Sequence, residues 1–360
     1  MGRCVLAKRE NNSKRNYVIV NKLLAKHYPC SALEAERLYD KLGGMVARRF
    51  PSGNCLLICF AEASVALGEY IAGIIGWRCT VISSTRSTAN ILTDCDPIYF
   101  EEEHSHASRH TLYLAKDALN GVQHVIMLDD ELTTGKTLLN LYNVIKGRME
   151  PGADITAIAL LASKESEALL KENKVPLLCL RDFKGIFDEE LPQSYVADRV
   201  LQSRVPDKEL NISAACNVRY GASGDIVKEE AYTLCSDLVR QLELGEVKDK
   251  QIELIGTEEC CYPALITGEI LERRKAKVLV HAVTRTPMLP SDSDDYPISE
   301  RSKLTSLYDA NCSAYLYNCA PCDIAVIITD AKNSTEHAIC ELCGAVKAEK
   351  VVLVHWNDKM

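Results

Sequence analysis

The fold and the site of this chain are decided by one stretch, Val125-Ile126-Met127-Leu128-Asp129-Asp130-Glu131-Leu132-Thr133-Thr134-Gly135-Lys136-Thr137. Its first four residues are apolar and predict a buried strand, and two acids follow where that strand ends. Ligands bind at the carboxyl ends of strands in open α/β sheets. The Thr- and Gly-rich turn precedes a helix that we expect to begin at about Leu138. Backbone amides in such a turn hold a phosphate well, so the stretch predicts a monophosphate cradle beside two carboxylates that suit sugar hydroxyls.

This stretch has two other interpretations. Gly135-Lys136-Thr137 resembles the end of a nucleotide-binding phosphate loop, but that motif needs a glycine where this chain has Asp130. A negative side chain at that position opposes a triphosphate lying close to the backbone, which excludes this class. The remaining alternative is a strand end whose Asp and Thr residues only cap the next helix.

The rest of the chain alternates short apolar runs with longer amphipathic patterns, which predicts parallel α/β sheets flanked by helices. Stretches with many charges or prolines, 182–206 and 287–303, are expected to be connectors. The expected strands are 17–20, 55–60, 79–83, 125–128, 155–161, 177–180, 252–255, 278–282, 324–328 and 351–355. The expected helices are 32–50, 65–75, 138–149, 164–173, 227–244 and 338–348.

Composition narrows the class of protein. The 360 residues are 47% hydrophobic and carry a formal net charge of −8, so no basic footprint for nucleic acid is visible. Apolar runs of about five to eight residues are too short to cross a membrane. Sixteen cysteines and a start without a secretory signal favour the reducing cytoplasm, with thiols as small buried fillers.

A similar order of elements occurs twice. In the first half the turn Ser84-Thr85-Arg86 follows a strand, and Asp129 ends another strand 43 positions after that arginine. In the second half Thr284-Arg285-Thr286 follows a strand, and Asp330 lies 45 positions after its arginine. We expect an internal duplication, with generic α/β repetition as the alternative. The expected domains are 1–208 and 209–360.

If the duplication is real, the second copy has lost the phosphate cradle. Ala331 stands where the first copy has Asp130, and Glu336 stands where it has Gly135. A glutamate there repels a phosphate, so we expect no second cradle. Four roles remain open for the polar residues at these strand ends: an acceptor pocket, a regulatory pocket, a contact between the domains, or a purely structural cluster. They are Glu258, Glu259, Tyr262, Thr284 and Arg285.

Four cysteines have the spacing of a zinc site. Cys319 and Cys322 are followed, after seventeen residues, by Cys340 and Cys343. The segment between the two pairs is predicted as strand, turn and helix and not as a ribbon, which favours buried thiols over zinc.

The strand, the acidic pair and the turn resemble the phosphoribosyl-pyrophosphate signature of the type I phosphoribosyltransferases. Other motifs narrow the resemblance to orotate-phosphoribosyltransferase-like proteins with an appended TRSP domain, of the kind found in tellurium-resistance-type gene clusters. The resemblance covers nearly the whole chain, and Thr286 replaces the serine of the name-giving motif. The other motifs are 26–29, 60–62, 100–106, 256–259, 262–263 and 284–287.

The resemblance implies roles for the site residues. Asp129 and Asp130 would hold the ribose hydroxyls and orient Mg²⁺, and so are the expected catalytic and metal-linked pair. The turn Ser84-Thr85-Arg86 would bind pyrophosphate, and Glu62 would contact the acceptor or cap a helix. The 5-phosphate would be wrapped by Glu131, Leu132, Thr133, Thr134, Gly135, Lys136 and Thr137.

In such relatives a mobile flap closes over the reacting centre, and here it corresponds to residues 101–110. His104, His106 and Arg109 are its candidates for neutralising the leaving pyrophosphate, and the two histidines are expected to be catalytic. Relatives of the orotate type often use lysine there, and this flap has none. A solvated loop and a metal site on the two histidines are the alternatives.

We therefore expect a cytoplasmic, Mg²⁺-dependent phosphoribosyltransferase that joins a small base-like acceptor to phosphoribosyl pyrophosphate and releases pyrophosphate. The sequence itself does not specify the oligomeric state, but type I relatives are commonly dimers, so the resemblance implies a homodimer. No nucleic acid or membrane partner is expected. A non-catalytic protein that senses the same donor or a nucleotide is the alternative, and a hydrolase acting on a ribosyl compound is a third option.

Overall fold

The computed structural model describes residues 4–10, 15–86, 95–101, 109–187, 190–242 and 247–358. The chain forms two compact units. Unit I contains the described residues of 39–184 and 216–229, and unit II contains those of 1–38, 185–215 and 230–360.

The strands and helices have the following bounds. The strands are β1 (Cys4–Lys8), β2 (Tyr17–Asn21), β3 (Cys55–Cys59), β4 (Cys79–Ser83), β5 (Cys95–Glu101), β6 (Arg109–Ala115), β7 (His124–Leu132), β8 (Asp154–Ala162), β9 (Leu177–Asp182), β10 (Lys208–Ala214), β11 (Ala222–Ser223), β12 (Gln251–Thr257), β13 (Lys277–Val283), β14 (Arg301–Thr305), β15 (Ser313–Tyr317), β16 (Cys322–Thr329) and β17 (Ala348–Asp358). The helices are α1 (Ala32–Arg49), α2 (Val65–Ile75), α3 (Lys136–Lys146), α4 (Lys164–Glu172), α5 (Gly224–Gln241), α6 (Tyr262–Arg273) and α7 (Glu336–Ala345).

Unit I is built on a six-stranded sheet in the order β11-β4-β3-β7-β8-β9. All neighbours are parallel except the two-residue edge strand β11, which runs antiparallel to β4. The central strands are apolar and buried because helices cover both faces of such a sheet. Helix α2 comes very close to β3, since a Cβ placed on Gly68 would lie 1.9 Å from the Sγ of Cys59.

Unit II is built on a five-stranded parallel sheet in the order β10-β17-β16-β12-β13. Helix α6 follows β12, and a Cβ on its Gly268 would lie 2.6 Å from Cγ2 of Val280 on β13. The first hairpin of the chain, β1 with β2, packs its valines against Met288, Ile298 and two tyrosines of this unit.

The two sheets share an order of elements. Four strands of unit I lie in the order β4-β3-β7-β8, and four of unit II lie in the matching order β13-β12-β16-β17. Among these four strands, each unit also has an antiparallel hairpin between the second and the third along the chain, β5 with β6 in unit I and β14 with β15 in unit II. The parallel α/β fold class is thus confirmed, and the duplication stays a prediction.

All ten expected strands and all six expected helices are present in the described part of the chain, with bounds shifted by a few residues. The last two residues of the expected helix 227–244 lie outside the described residues. Helix α3 begins two residues earlier than expected, at Lys136, and β7 continues through the acids to Leu132. No helix in the described part of the chain is long and apolar enough to cross a bilayer.

Candidate functional site

The two acids lie at the carboxyl end of β7, next to the middle of the unit I sheet. Asp129 still pairs in register with Ala159 of β8, and both acids are half-buried. The Oδ1 of Asp129 accepts a hydrogen bond of 3.0 Å from the backbone N–H of Asp130. Since a carboxylate has several acceptor positions, this bond leaves room for further donors or a hard cation.

The turn after β7 leads directly into helix α3. Gly135 precedes the helix with φ 75° and ψ −1°, a left-handed conformation that strains any residue with a Cβ. The first turn of the helix carries no acidic residue. The partial positive charge of a helix N-terminus is therefore not compensated locally by a carboxylate of this turn, which suits an anion such as a phosphate.

Two serine hydroxyls, one just before α4 and one in its first turn, form hydrogen bonds with the backbone of this turn. The Oγ of Ser166 donates to the carbonyl of Leu132 over 3.0 Å, and the Oγ of Ser163 donates to the carbonyl of Thr133. A Cβ on Gly135 would lie 3.3 Å from the Cβ of Ser166. The side chain of Leu132 packs in the core of unit I, so this residue reaches a ligand only through its backbone.

The turn Ser84-Thr85-Arg86 follows β4 at the same edge of the sheet. Thr85 exchanges two backbone hydrogen bonds, of 2.8 and 3.0 Å, with Thr111 of β6. The Oγ of Ser84 accepts from the N–H of Ala61 over 2.9 Å. The turn is thereby fixed to the end of β3 on one side and to the hairpin on the other.

His110 joins two side chains of that turn. Its Nε2 lies 3.2 Å from the Nε of Arg86, and its Nδ1 lies 3.1 Å from the Oγ of Ser84. An arginine Nε can only donate, so Nε2 accepts and the ring proton sits on Nδ1. The ring is 1% exposed and stacks on Phe100 with centroids 5.2 Å apart. His110 is not among the site residues predicted from the sequence, although it is the last residue of the stretch that corresponds to the flap.

Glu62 lies in the turn between β3 and α2 and is 9% exposed. Two residues later the Oγ of Ser64 donates to the carbonyl of Phe60 over 2.6 Å and reaches the carbonyl of Leu128 at 3.1 Å. This hydroxyl therefore joins the end of β3 to the strand that delivers the acidic pair.

The expected catalytic histidines, His104 and His106, lie outside the described residues. Their role stays a prediction. The strands β5 and β6 on either side of them pair in antiparallel register from Cys95 and Ala115 to Glu101 and Arg109.

In unit II the predicted pocket residues surround a buried ion pair. The Nε of Arg285 donates to Oε2 of Glu258 over 2.6 Å, and the Oγ of Ser306 donates to the other oxygen of the same carboxylate. Glu258 has φ 49°, and its carbonyl accepts from the ammonium of Lys26. Thr284 forms two backbone hydrogen bonds with Tyr315 of β15, as Thr85 does with β6 in unit I.

Glu259 and Tyr262 lie in the next turn and at the start of α6, and both are buried. Glu258, Thr284 and Arg285 thus lie at the carboxyl ends of β12 and β13, as expected for parallel neighbours. Asp330, which the expected duplication aligns with Asp129, contacts the hydroxyl of Tyr308.

The N-terminus of α7 differs from that of α3. Thr335 caps α7, with its side chain accepting from the N–H of Ala338 over 3.2 Å, and Glu336 lies in the first turn. A cap and a carboxylate compensate the helix dipole, so this end is not suited to a phosphate. That supports the expectation that unit II has no second cradle.

The four cysteines with zinc spacing do not form one ligand group within the described residues. Cys319 lies instead with Glu253 and His281, and Cys340 and Cys343 lie on α7. Burial raises the pKa of the Cys343 thiol to about 12, which is typical of a packed, unreactive thiol.

Comparisons with known proteins place the chain in a family. Residues 4–180 match the family model described as phosphoribosyl transferase, and residues 217–346 match the TRSP domain described as lying C-terminal to it. No curated protein sequence matches the chain.

Solved structures with a similar fold include adenine phosphoribosyltransferases. The Trypanosoma brucei protein, in complex with AMP, pyrophosphate and ribose-5-phosphate, is 14% identical over 55% of this chain and 85% of its own, with a TM-score of 0.38. The Giardia lamblia protein complexed with 9-deazaadenine is 13% identical over 50% of this chain and 93% of its own, with a TM-score of 0.38. The Saccharomyces cerevisiae protein is 13% identical over 49% and 94%, with a TM-score of 0.36.

The two family matches define the class: the chain is a phosphoribosyltransferase, an enzyme of the glycosyltransferase type. More particularly, it belongs to the phosphoribosyl transferase family whose members carry a TRSP domain on the C-terminal side.

Proposed function

We propose that unit I transfers a phosphoribosyl group from phosphoribosyl pyrophosphate to a small base-like acceptor and releases pyrophosphate. The observation that carries this proposal is the sequence of β7, acidic pair, Gly135 turn and α3 N-terminus on one continuous segment. It presents carboxylates for a sugar diol and a helix end for a 5-phosphate at a spacing fixed by the backbone.

The donor would lie along the carboxyl edge of the sheet. Its 5-phosphate would take the turn 133–137, and its ribose hydroxyls would donate to Asp129 and Asp130. Its pyrophosphate would reach toward Ser84-Thr85-Arg86, where a guanidinium matches phosphate oxygens. Each position is at the end of a strand or in the turn that follows it, in the same unit.

Mg²⁺ fits this donor set, since it prefers hard oxygen ligands and usually binds through one or two carboxylates together with substrate phosphates. Asp129 and Asp130 would orient it, and when bound it supplies neutralisation of the leaving pyrophosphate. The carboxylates of this chain stabilise positive charge that grows at the anomeric carbon, and Glu62 would contact the acceptor or its proton.

The remaining expectations stay proposals. We place the boundary between the transferase and TRSP domains at 208 and 209, and the chain in the cytoplasm, in keeping with its sixteen cysteines. We further propose a homodimer. In unit II, the cluster around Glu258 and Arg285 would form a pocket at the strand ends.

The test is pyrophosphate release by the full chain with phosphoribosyl pyrophosphate, Mg²⁺ and a panel of purine and pyrimidine bases. We expect one group of bases to support turnover. The variant Asp129→Asn, Asp130→Asn should lower kcat by more than about 100-fold, the scale of losing an electrostatic contact to a transition state. Asp117→Asn, an exposed carboxylate in the turn after β6, is the matched control and should leave kcat unchanged. Donor binding without release for any base would contradict transfer, and equal rates in the variant would contradict the site.

A further inference from the structure

Unit II contains a group of three buried, neighbouring side chains of metal-ligating type that the transferase site does not use. They are Glu253 on β12, His281 on β13 and Cys319 after β15. Their exposed fractions are 1%, 0% and 5%. One ligand atom from each lies within 4.8 Å of the other two, and the Nε2 of His281 is 3.0 Å from Oε1 of Glu253.

The polar atoms of this cluster lack partners that their burial demands. Within the described residues, neither ring nitrogen of His281 has an aligned hydrogen-bond partner, and Oε2 of Glu253 has none. The 3.0 Å contact between His281 and Glu253 is therefore close without being a well-directed hydrogen bond. Leaving a buried polar group unsatisfied costs about 1–3 kcal/mol, so an unsatisfied Oε2 of Glu253 beside an imidazole without an aligned partner points to a missing ligand.

The sheet fixes the position of the three side chains. Glu253 pairs with Leu279 and Ile255 pairs with His281 in the parallel register of β12 and β13. Because side chains alternate along a strand, Glu253 and His281 are on the same face of the sheet. The N–H of Ala320 donates to Oε1 of Glu253 over 3.2 Å, which holds the connection carrying Cys319 beside that carboxylate.

We propose that Glu253, His281 and Cys319 bind one Zn²⁺ ion. Nitrogen, sulfur and oxygen are the ligand atoms that zinc takes in proteins, at distances of about 2.0–2.3 Å. A tetrahedral zinc site therefore needs ligand atoms roughly 3.2–3.8 Å apart, and here one ligand atom from each side chain lies within 4.8 Å of the other two.

The charges of such a site balance. A dication bound by one carboxylate and one thiolate, with a neutral imidazole, has no net charge, whereas the isolated groups are costly to bury. Binding displaces the thiol proton of Cys319 into solvent as the zinc–sulfur bond forms, so no oxidant or reductant is needed. Glu253 and Ala320 also line a cavity of about 360 Å³ beside this cluster.

The site differs from the one that cysteine spacing suggested. Cys319 belongs to both, but its partners come from β12 and β13 and not from the other three cysteines. A zinc ion here would join two sheet strands to the connection between β15 and β16, and so would stabilise unit II independently of the proposed transfer reaction.

The test uses the full chain purified without chelator. Elemental analysis should find about one zinc per chain, and replacing zinc with Co²⁺ should give the near-ultraviolet charge-transfer absorption of a cobalt–thiolate bond. That absorption should disappear in Cys319→Ser and persist in Cys343→Ser, a control thiol that is also buried in the same core cluster. His281→Gln and Glu253→Gln should weaken Co²⁺ binding by more than about 100-fold, since loss of an outer-shell partner alone costs roughly 10–100-fold.

Circular dichroism of each variant identifies any that fails to fold. In that case X-ray absorption at the zinc edge of the unmodified protein decides, and one sulfur among nitrogen and oxygen ligands supports the site. A chain that binds neither zinc nor Co²⁺, or a thiolate absorption that survives Cys319→Ser, overturns the proposal.

Discussion

The Nε2 of His110 accepts a hydrogen bond from the Nε of Arg86 over 3.2 Å, so a buried ring on hairpin strand β6 orients the cation of the turn after β4. The same ring reaches Ser84 through Nδ1 at 3.1 Å. Both contacts join residues of the turn proposed for pyrophosphate to a ring that is packed on Phe100. His110 thus acts as a positioning residue for Arg86.

We predict that His110→Ala weakens pyrophosphate binding. Loss of the acceptor leaves Arg86 to sample other rotamers, and a hydrogen bond to a charged group is worth about 1.5–3 kcal/mol, or roughly a tenfold change in affinity or more. The inhibition constant of pyrophosphate measures this directly. His110→Gln keeps a side-chain acceptor and should recover part of the affinity, whereas a merely structural role predicts no difference between the two variants at equal stability.

The sequence predicted the parallel sheets because they depend on local information. Apolar runs such as Val125–Leu128 specify buried strands wherever they lie, and the acids after that run mark the ligand edge without any knowledge of neighbours. The residue type of Gly135 alone likewise indicates a left-handed backbone conformation.

The contacts that complete the sites depend on pairing between distant segments, which no local pattern encodes. His110 meets Arg86 only because the hairpin of β5 and β6 returns to the turn after β4. Glu253 and His281 interrupt otherwise apolar strands, which is a signal that could have been noticed, but their nearness to Cys319 requires the sheet register. The placement of Cys30 beside Val280 in unit II is equally non-local.

We predict that Gly135→Ala lowers both stability and donor affinity. The residue has φ 75°, and the new Cβ would meet the Cβ of Ser166 at 3.3 Å. Gly121→Ala is the matched control, because Gly121 also has a positive φ, of 66°, but open space around its Cβ position. Each variant should lose about 1 kcal/mol from backbone strain. Only Gly135→Ala should also raise the KM for the donor, and a similar KM in both variants would mean that the turn does not bind it.

Ser166→Ala should raise the KM for the donor by about threefold to tenfold with little change in kcat. The hydroxyl is buried and donates to the carbonyl of Leu132, so its removal loosens the turn without touching the acids. A neutral hydrogen bond is worth about 0.5–1.5 kcal/mol, which sets that range. Ser236→Ala removes a hydroxyl that bonds to Tyr232 within α5 and should change neither constant. A fall in kcat alone would argue against a bracing role.

The stability of unit II should depend on pH through Asp207. A hydrogen bond of 2.7 Å from the N–H of Val351, together with Arg204, lowers the pKa of this carboxyl in the folded chain. The stabilisation by Asp207 is therefore fully present above its unfolded pKa of about 3.9. It is lost as the pH falls through the lower pKa that this carboxyl has in the folded chain. Asp207→Asn should show a smaller loss of unfolding free energy between pH 6 and pH 3 than the unmodified chain. Asp292→Asn, an exposed control, should show the same loss as the unmodified chain.

The ion pair of Arg285 and Glu258 should behave as a buried one. The two side chains are 8% and 5% exposed, and the Nε lies 2.6 Å from Oε2. Arg285→Met removes the cation and leaves the carboxylate buried, which costs about 3–5 kcal/mol of unfolding free energy in comparable pairs. Adding Glu258→Gln should recover part of that loss because the buried charge is gone. In the exposed pair of Arg240 and Asp237, Arg240→Met should cost less than about 1 kcal/mol. Urea denaturation measures the unfolding free energy of all three variants. Equal losses in Arg285→Met and Arg240→Met would show that water reaches the Glu258 carboxylate and that the strand ends of unit II are open to solvent.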